Sequence, residues 1–126
     1  MKKYSLLIIL VFIFSCKKSV DKKKDIVYLS PDCGCCHDWI SHMESNDFVL
    51  EKNMDANMYD IKTNAGLPID LASCHTALIK GYFIEGHVPA QDVKRLLKEA
   101  PDGIIGLTVP GMPAGINVPG MEVNNE

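Results

Sequence analysis

"DIVYLSPDCGCCHDWISHM", residues 25–43, joins three local signals without a gap, and its reading decides the fold. Ile26, Val27 and Tyr28 are β-branched or aromatic, so 25–30 reads as a short strand. Pro31 and Asp32 turn the chain. From Cys35 to Asn46 the apolar residues Trp39, Ile40 and Met43 share one face, which predicts a helix. Three cysteines, Cys33, Cys35 and Cys36, crowd the junction between strand and helix. Packing explains such crowding poorly. It admits a disulfide, a redox couple or a metal site, and each makes its own demand on the rest of the chain.

Outward from that junction, "DFVLEKN" (47–53) predicts a second strand. Residues 55–65 predict a second helix, with Met58, Ile61 and Ala65 on one face and Gly66 as its stop. "TALIKGYFIEG" (76–86) predicts a hairpin, two β-rich runs around Lys80-Gly81, where the glycine can take positive φ. "PAQDVKRLLKEA" (89–100) predicts a helix opened by Pro89, with Val93, Leu96, Leu97 and Ala100 at i, i+3, i+4 and i+7. The order β-α-β-α-β-β-α, with thiols between the first strand and helix, resembles the thioredoxin-like fold. That is an α/β (α+β) architecture, a central mixed sheet flanked by helices. An unrelated small α+β domain is the alternative. In thioredoxin-like proteins the loop entering the hairpin lies against the cysteine turn and carries a cis-proline. Here "LASCHTALI" (71–79) has Cys74-His75 at that place.

The N-terminus bears on compartment. "MKKYSLLIILVFIFSC" (1–16) opens with lysines and continues in an uninterrupted apolar run from Leu6 to Phe14. That length suits the apolar region of a signal peptide better than a membrane span. "IFSC" resembles the lipobox of bacterial lipoproteins, in which cleavage before the cysteine, here Cys16, leaves it to carry lipid. An ordinary signal peptide with an incidental cysteine is the alternative. The expected organisation is a lipoprotein signal peptide at 1–15, the lipidated Cys16 and a basic tether at 16–24, and one domain at 25–126. "KKSVDKKK" (17–24) is solvated by its own charge repulsion. Lys17 in place of an aspartate resembles the outer-membrane sorting pattern. The expected location is therefore the cell envelope, lipid-anchored to the membrane and facing the periplasm, the outer membrane ahead of the inner.

Beyond the tether, six basic residues (Lys52, Lys62, Lys80, Lys94, Arg95 and Lys98) face fifteen acidic ones, a net charge of −9. That sign argues against nucleic acid as a partner. The whole chain has 126 residues and five cysteines, and setting Cys16 aside leaves Cys33, Cys35, Cys36 and Cys74. Two disulfides are the bland expectation for four thiols outside the cytoplasm. They also make one complete soft-metal site.

Cys33 and Cys36 have C-x-x-C spacing at a helix start, where free backbone N–H groups and the helix dipole favour thiolates. A redox thiol and a metal ligand both use that form. Cys35 distinguishes them, because an oxidoreductase needs two thiols whereas a soft metal welcomes a third. Cys74 would supply a fourth sulfur and His75 an imidazole. Alternatively, Cys74 forms a disulfide with the cluster and His75 is an ordinary loop histidine. His37 points away from Cys36 if the helix forms, His42 lies farther along it, and His87 ends the hairpin. All three read first as structural or solvated, and His87 is the one to test first as a ligand. "VPGM" occurs at 109–112 and again at 118–121, two Pro-Gly turns each followed by a methionine, so Met112 and Met121 are candidate thioether ligands as well as candidate core residues.

"SPDCGCCHDW", "DLASCHTALIKGYFIEGHVPAQDVKRLL" and "VPGMP" together resemble the bacterial metal-binding family that includes the copper resistance protein CopG. The resemblance covers nearly all of residues 26–121. It implies a thioredoxin-like envelope domain that holds several copper ions through cysteines, here Cys33, Cys35, Cys36 and Cys74, beside His75. Thiolates and thioethers select Cu(I), and zinc is the weaker candidate because Met112 and Met121 would be useless to it. The expected function is Cu(I) binding in a cysteine-bridged cluster that contributes to copper resistance, with other copper-handling envelope proteins as partners. The alternative is a thiol–disulfide or copper oxidoreductase using Cys33 and Cys36.

Overall fold

The computed structural model describes residues 24–123, so the expected signal peptide, the lipidated Cys16 and the tether up to residue 23 lie outside the described residues. Five strands and three helices follow one another through the described residues. They are β1 (Ile26–Tyr28), α1 (Gly34–Glu44), β2 (Glu51–Asn53), α2 (Met58–Asn64), β3 (Thr76–Ile79), β4 (Tyr82–Glu85), α3 (Ala90–Glu99) and β5 (Gly106–Thr108), with a 3-10 turn at Ile69–Leu71. The strands form one sheet in the order β2-β1-β3-β4-β5. β1 pairs parallel with β2 and antiparallel with β3, β3 pairs antiparallel with β4, and β4 pairs parallel with β5. This is the thioredoxin-like arrangement expected from the element order, with one strand more.

The extra strand comes from "GLT" inside the β-rich run 104–109, where a glycine interrupts the pattern. Gly106 is there because a Cβ would collide with the Phe83 backbone. The second strand is shorter than expected, and so is the second helix. Asn57 caps that helix by accepting from the Tyr59 N–H at 3.0 Å, and so fixes where it starts.

Register sorts the side chains. Val27 stands opposite Ala77, and Ala77 opposite Ile84, so these three form one row across the sheet, all fully buried. Cys36, Trp39, Ile40 and Met43 of α1 join them in the core at i, i+3, i+4 and i+7, with Val93 and Leu96 of α3. Thr76 and Glu85 form the next row and so point to the opposite face, where Lys62 of α2 meets both. Trp39 Nε1 donates to the Val88 carbonyl at 2.8 Å, and His42 Nε2 accepts from the Ala90 N–H at 3.0 Å. α1 thus holds the chain between β4 and α3 at two points. His42 also supplies the cap that Pro89, at the cap position, cannot make with its side chain.

Candidate metal centre

Cys33 occupies the N-cap of α1, and Cys35 and Cys36 lie in its first turn. Cys36 is buried among the core side chains, whereas Cys33 and Cys35 are half-buried. Cys33 and Cys36 are joined by a disulfide, and Cys35 and Cys74 are free. Cys35 Sγ lies 3.6 Å from Cys33 Sγ. Across from this turn, Cys74 brings its sulfur to the same place, and the four sulfurs lie within 4.8 Å of one another.

Cys74 belongs equally to a second group. Its Sγ is 3.2 Å from His75 Nδ1 and 3.1 Å from His87 Nε2. Both imidazoles are fully buried. The His75 ring packs against Trp39 at 4.4 Å between centroids and edge-on to His87 at 5.1 Å. Its Nε2 has no hydrogen-bond partner among the described residues. His87 is turned into the site by Gly86, whose φ of 71° favours glycine, and where a Cβ would lie 2.5 Å from Ser73 Oγ and 2.7 Å from the Val109 carbonyl. Nothing local in "EGHVP" announces that return. A histidine directly after a glycine at a hairpin's end, thirteen residues beyond a cysteine at its start, was the available clue.

The loop that carries Cys74 is fixed from behind. Glu85 is buried and accepts from the Ser73 N–H at 2.7 Å and from Thr76 Oγ1 at 2.6 Å, and it pairs with Lys62. A buried carboxylate with this many donors holds the backbone next to Cys74 firmly. The two Pro-Gly turns close the sides, with Gly111 and Gly120 at φ of 67° and 80°. The Gly111 N–H donates to the Ala72 carbonyl at 2.9 Å. Gly120 packs so closely on α1 that a Cβ would lie 2.6 Å from the Cys35 carbonyl oxygen. Both "VPGM" turns therefore dock their backbones on the cysteine-bearing segments. Met112 is half exposed and Met121 partly buried.

Electrostatics differ across the centre. Burial, reinforced by the neighbouring Cys35, raises the Cys74 thiol above its ordinary pKa, while a hydrogen bond from Ser73 opposes the rise. Burial first, then His87 and Lys62, lowers His75 to about 3, so its ring is neutral and free to act as a ligand. The other two histidines are engaged elsewhere. His37 Nε2 lies 3.2 Å from the Pro31 carbonyl, and His42 caps α3.

Comparison with known proteins adds three findings. A family described as a protein of unknown function, DUF411, matches residues 71–121, the part of the chain from the Cys74 loop through the second Pro-Gly turn. Two solved structures of the copper resistance protein CopG, Form 2 and Form 1, are each 42% identical over 82% of this chain. They are covered to 80% and 79% of their own length, with TM-scores of 0.74 and 0.73. Phosphoenolpyruvate synthase of Pyrococcus furiosus is 39% identical over 62 residues, 48% of this chain. The match spans only 8% of the length of that curated relative.

Proposed function

The chain belongs to the family of the copper resistance protein CopG, and from that premise we propose that it is a cell-envelope protein that binds Cu(I) and contributes to copper resistance. The observation that carries this reading is the convergence of Cys33, Cys35, Cys36 and Cys74, whose sulfurs lie within 4.8 Å of one another. Four sulfurs so close exceed what a single disulfide exchanger uses, and thiolate donors favour Cu(I). One sulfur can bridge two ions, so the group holds more than one. The fully buried His75 imidazole, whose Nδ1 lies 3.2 Å from Cys74 Sγ, fits the same picture. Zinc is the weaker candidate. Closing the Cys33–Cys36 disulfide removes two donors, so the four-sulfur group takes up copper only when that bond is reduced.

Anaerobic Cu(I) titration of the reduced and the disulfide-closed protein tests this. The reduced form is expected to bind several ions and the closed form fewer. Equal uptake by both forms would remove Cys33 and Cys36 from the site.

The Cys33–Cys36 disulfide itself favours a second reading, a thiol–disulfide or copper oxidoreductase that cycles this pair. Under that reading Cys35 and Cys74 are dispensable, and disulfide exchange survives their replacement by serine.

The location is part of the same proposal. The apolar run before "IFSC" supports a lipoprotein with signal peptide 1–15, lipid on Cys16 and a basic tether, facing the periplasm from the outer membrane, where other copper-handling proteins would be its partners. Cys16→Ser is expected to release the protein from the membrane fraction. A wild type that is already soluble in the periplasm would contradict the anchor.

A further inference from the structure

The disulfide-bonded form still offers a complete set of donors on the far side of Cys74. With Cys33 and Cys36 spent on each other, the Cys74 sulfur keeps His75 Nδ1 at 3.2 Å and His87 Nε2 at 3.1 Å, and all three donor atoms lie within 4.8 Å of one another. Two features aim these imidazoles at a ligand. His87 Nδ1 lies 2.7 Å from the Pro119 carbonyl, which can only accept. When that ring is neutral, its proton sits on Nδ1 and its Nε2 lone pair faces Cys74. A carbonyl behind the ring, a free nitrogen in front, is how metal-binding histidines are oriented. His75 is equally buried and presents its Nδ1 to the same sulfur at 3.2 Å. Around a tetrahedral ion with metal–sulfur and metal–nitrogen distances of about 2.3 and 2.0 Å, sulfur and nitrogen stand about 3.5 Å apart. A separation a few tenths of an ångström below that needs only small side-chain adjustments.

We infer that Cys74, His75 and His87 form a one-ion site for a divalent first-row cation of borderline softness, Zn(II) or Cu(II), and that this site stays complete while the Cys33–Cys36 disulfide is closed. The inference deepens the copper-binding reading and takes from it only that Cys74 is a metal ligand. One thiolate with two imidazoles is a harder donor set than four thiolates, and imidazole suits zinc and copper alike. Cys74 then serves two positions, an all-sulfur one that exists in the reduced protein and a mixed one that is indifferent to the state of the other pair. Pro119, in the second "VPGM", acts through its carbonyl in positioning His87.

The test uses Zn(II) and the wild-type chain with its Cys33–Cys36 disulfide closed, verified by mass. One zinc per chain is expected, and its X-ray absorption should show two imidazole nitrogens with one sulfur, or two sulfurs where Cys35 takes the fourth position. His87→Asn keeps an N–H for the Pro119 carbonyl but removes the metal-facing nitrogen, and is expected to weaken zinc at least tenfold with an unchanged melting temperature. Should that variant fail to fold, the absorption spectrum of the wild type decides alone. No zinc uptake, or a coordination shell lacking sulfur or imidazole, overturns the inference. Cu(I) titration of the reduced protein, run in parallel, separates the two claims. Copper uptake without zinc uptake sinks only the mixed site, and zinc uptake without copper uptake sinks only the four-sulfur reading.

Discussion

Cys33, Cys35 and Cys36 meet through neighbouring positions at the start of α1, whereas Cys74, His75 and His87 meet only because β3 and β4 fold back on each other. The first half has Cys36 in the core and Cys33 and Cys35 half-buried, and one turn of backbone holds it. The second is buried, packed on Trp39 and braced by Glu85 and Lys62 from the opposite face of the sheet. The state of the Cys33–Cys36 bond sets how many free thiols the sulfur turn presents. The imidazole side answers to folding, because its donors exist only when the hairpin, the Gly86 bend and the second Pro-Gly turn are all in place. Cys74 faces both: its sulfur lies within 4.8 Å of the three sulfurs of the turn and of the two imidazoles.

That shared position gives the largest expected effect. Cys74→Ser leaves the Cys33/Cys36 pair whole but takes a donor from each half. It is expected to lower the number of Cu(I) ions bound as well as their affinity. A ligand at a thousand times its Kd stabilises the fold by about 4 kcal/mol. The copper-induced rise in melting temperature seen by calorimetry is therefore expected to be large for wild type and much smaller for the variant. If both bind the same number of ions and melt alike, the halves do not share Cys74.

Glu85→Gln acts from behind the Cys74 loop. It is nearly isosteric, yet it leaves Lys62, whose side chain is 16% exposed, without its carboxylate. Losing one member of a buried pair costs about 3 kcal/mol. Urea unfolding is expected to show that loss, with weakened metal binding, because the Ser73 N–H beside Cys74 loses its anionic acceptor. A variant as stable as wild type would mean that the loop is held by its own packing.

His75 gives a smaller, pH-dependent effect in the metal-free protein. The folded chain holds this ring neutral down to about pH 3, while the unfolded chain protonates it near 6.5. Stability from this group is therefore full above pH 6.5 and falls as pH drops towards 3, by about 1.4 kcal/mol per unit. Denaturant unfolding from pH 8 to pH 5 is expected to show a loss of about 2 kcal/mol that His75→Phe removes. An unchanged slope in the variant would place the titration elsewhere.

The tail methionines should matter least. Replacing Met112 and Met121 together with leucine is expected to cost under about 1 kcal/mol, since the volumes match. Thioethers need no deprotonation, so Cu(I) retention is expected to weaken most at mildly acid pH, where thiolates begin to protonate. Retention unchanged between about pH 5 and pH 7 would make both residues packing alone.

The same contrast governs what the sequence disclosed. The cysteine turn, α1, the hairpin and α3 are legible because spacing and periodicity are local properties. The place of Cys74-His75 opposite that turn follows from topology once the element order is recognised. β5 escaped because Gly106 breaks its apolar pattern, and the reason for that glycine is the Phe83 backbone, a neighbour only in space. His87 ranked behind His75 for the same cause. Its approach to Cys74 depends on the positive φ of Gly86 and on the carbonyl of Pro119, thirty-two residues away. The role of His42 as the cap of α3 is likewise a long-range contact that no pattern in α1 contains.

A four-sulfur copper site depends on those sulfurs being reduced in the cell. The decisive measurement is the metal content of the wild-type protein purified anaerobically from copper-supplemented cells, taken together with its free-thiol count. Several copper ions per chain are expected, with Cys33, Cys35, Cys36 and Cys74 all reduced. Protein that carries no copper and retains the Cys33–Cys36 disulfide under those conditions would contradict such a site.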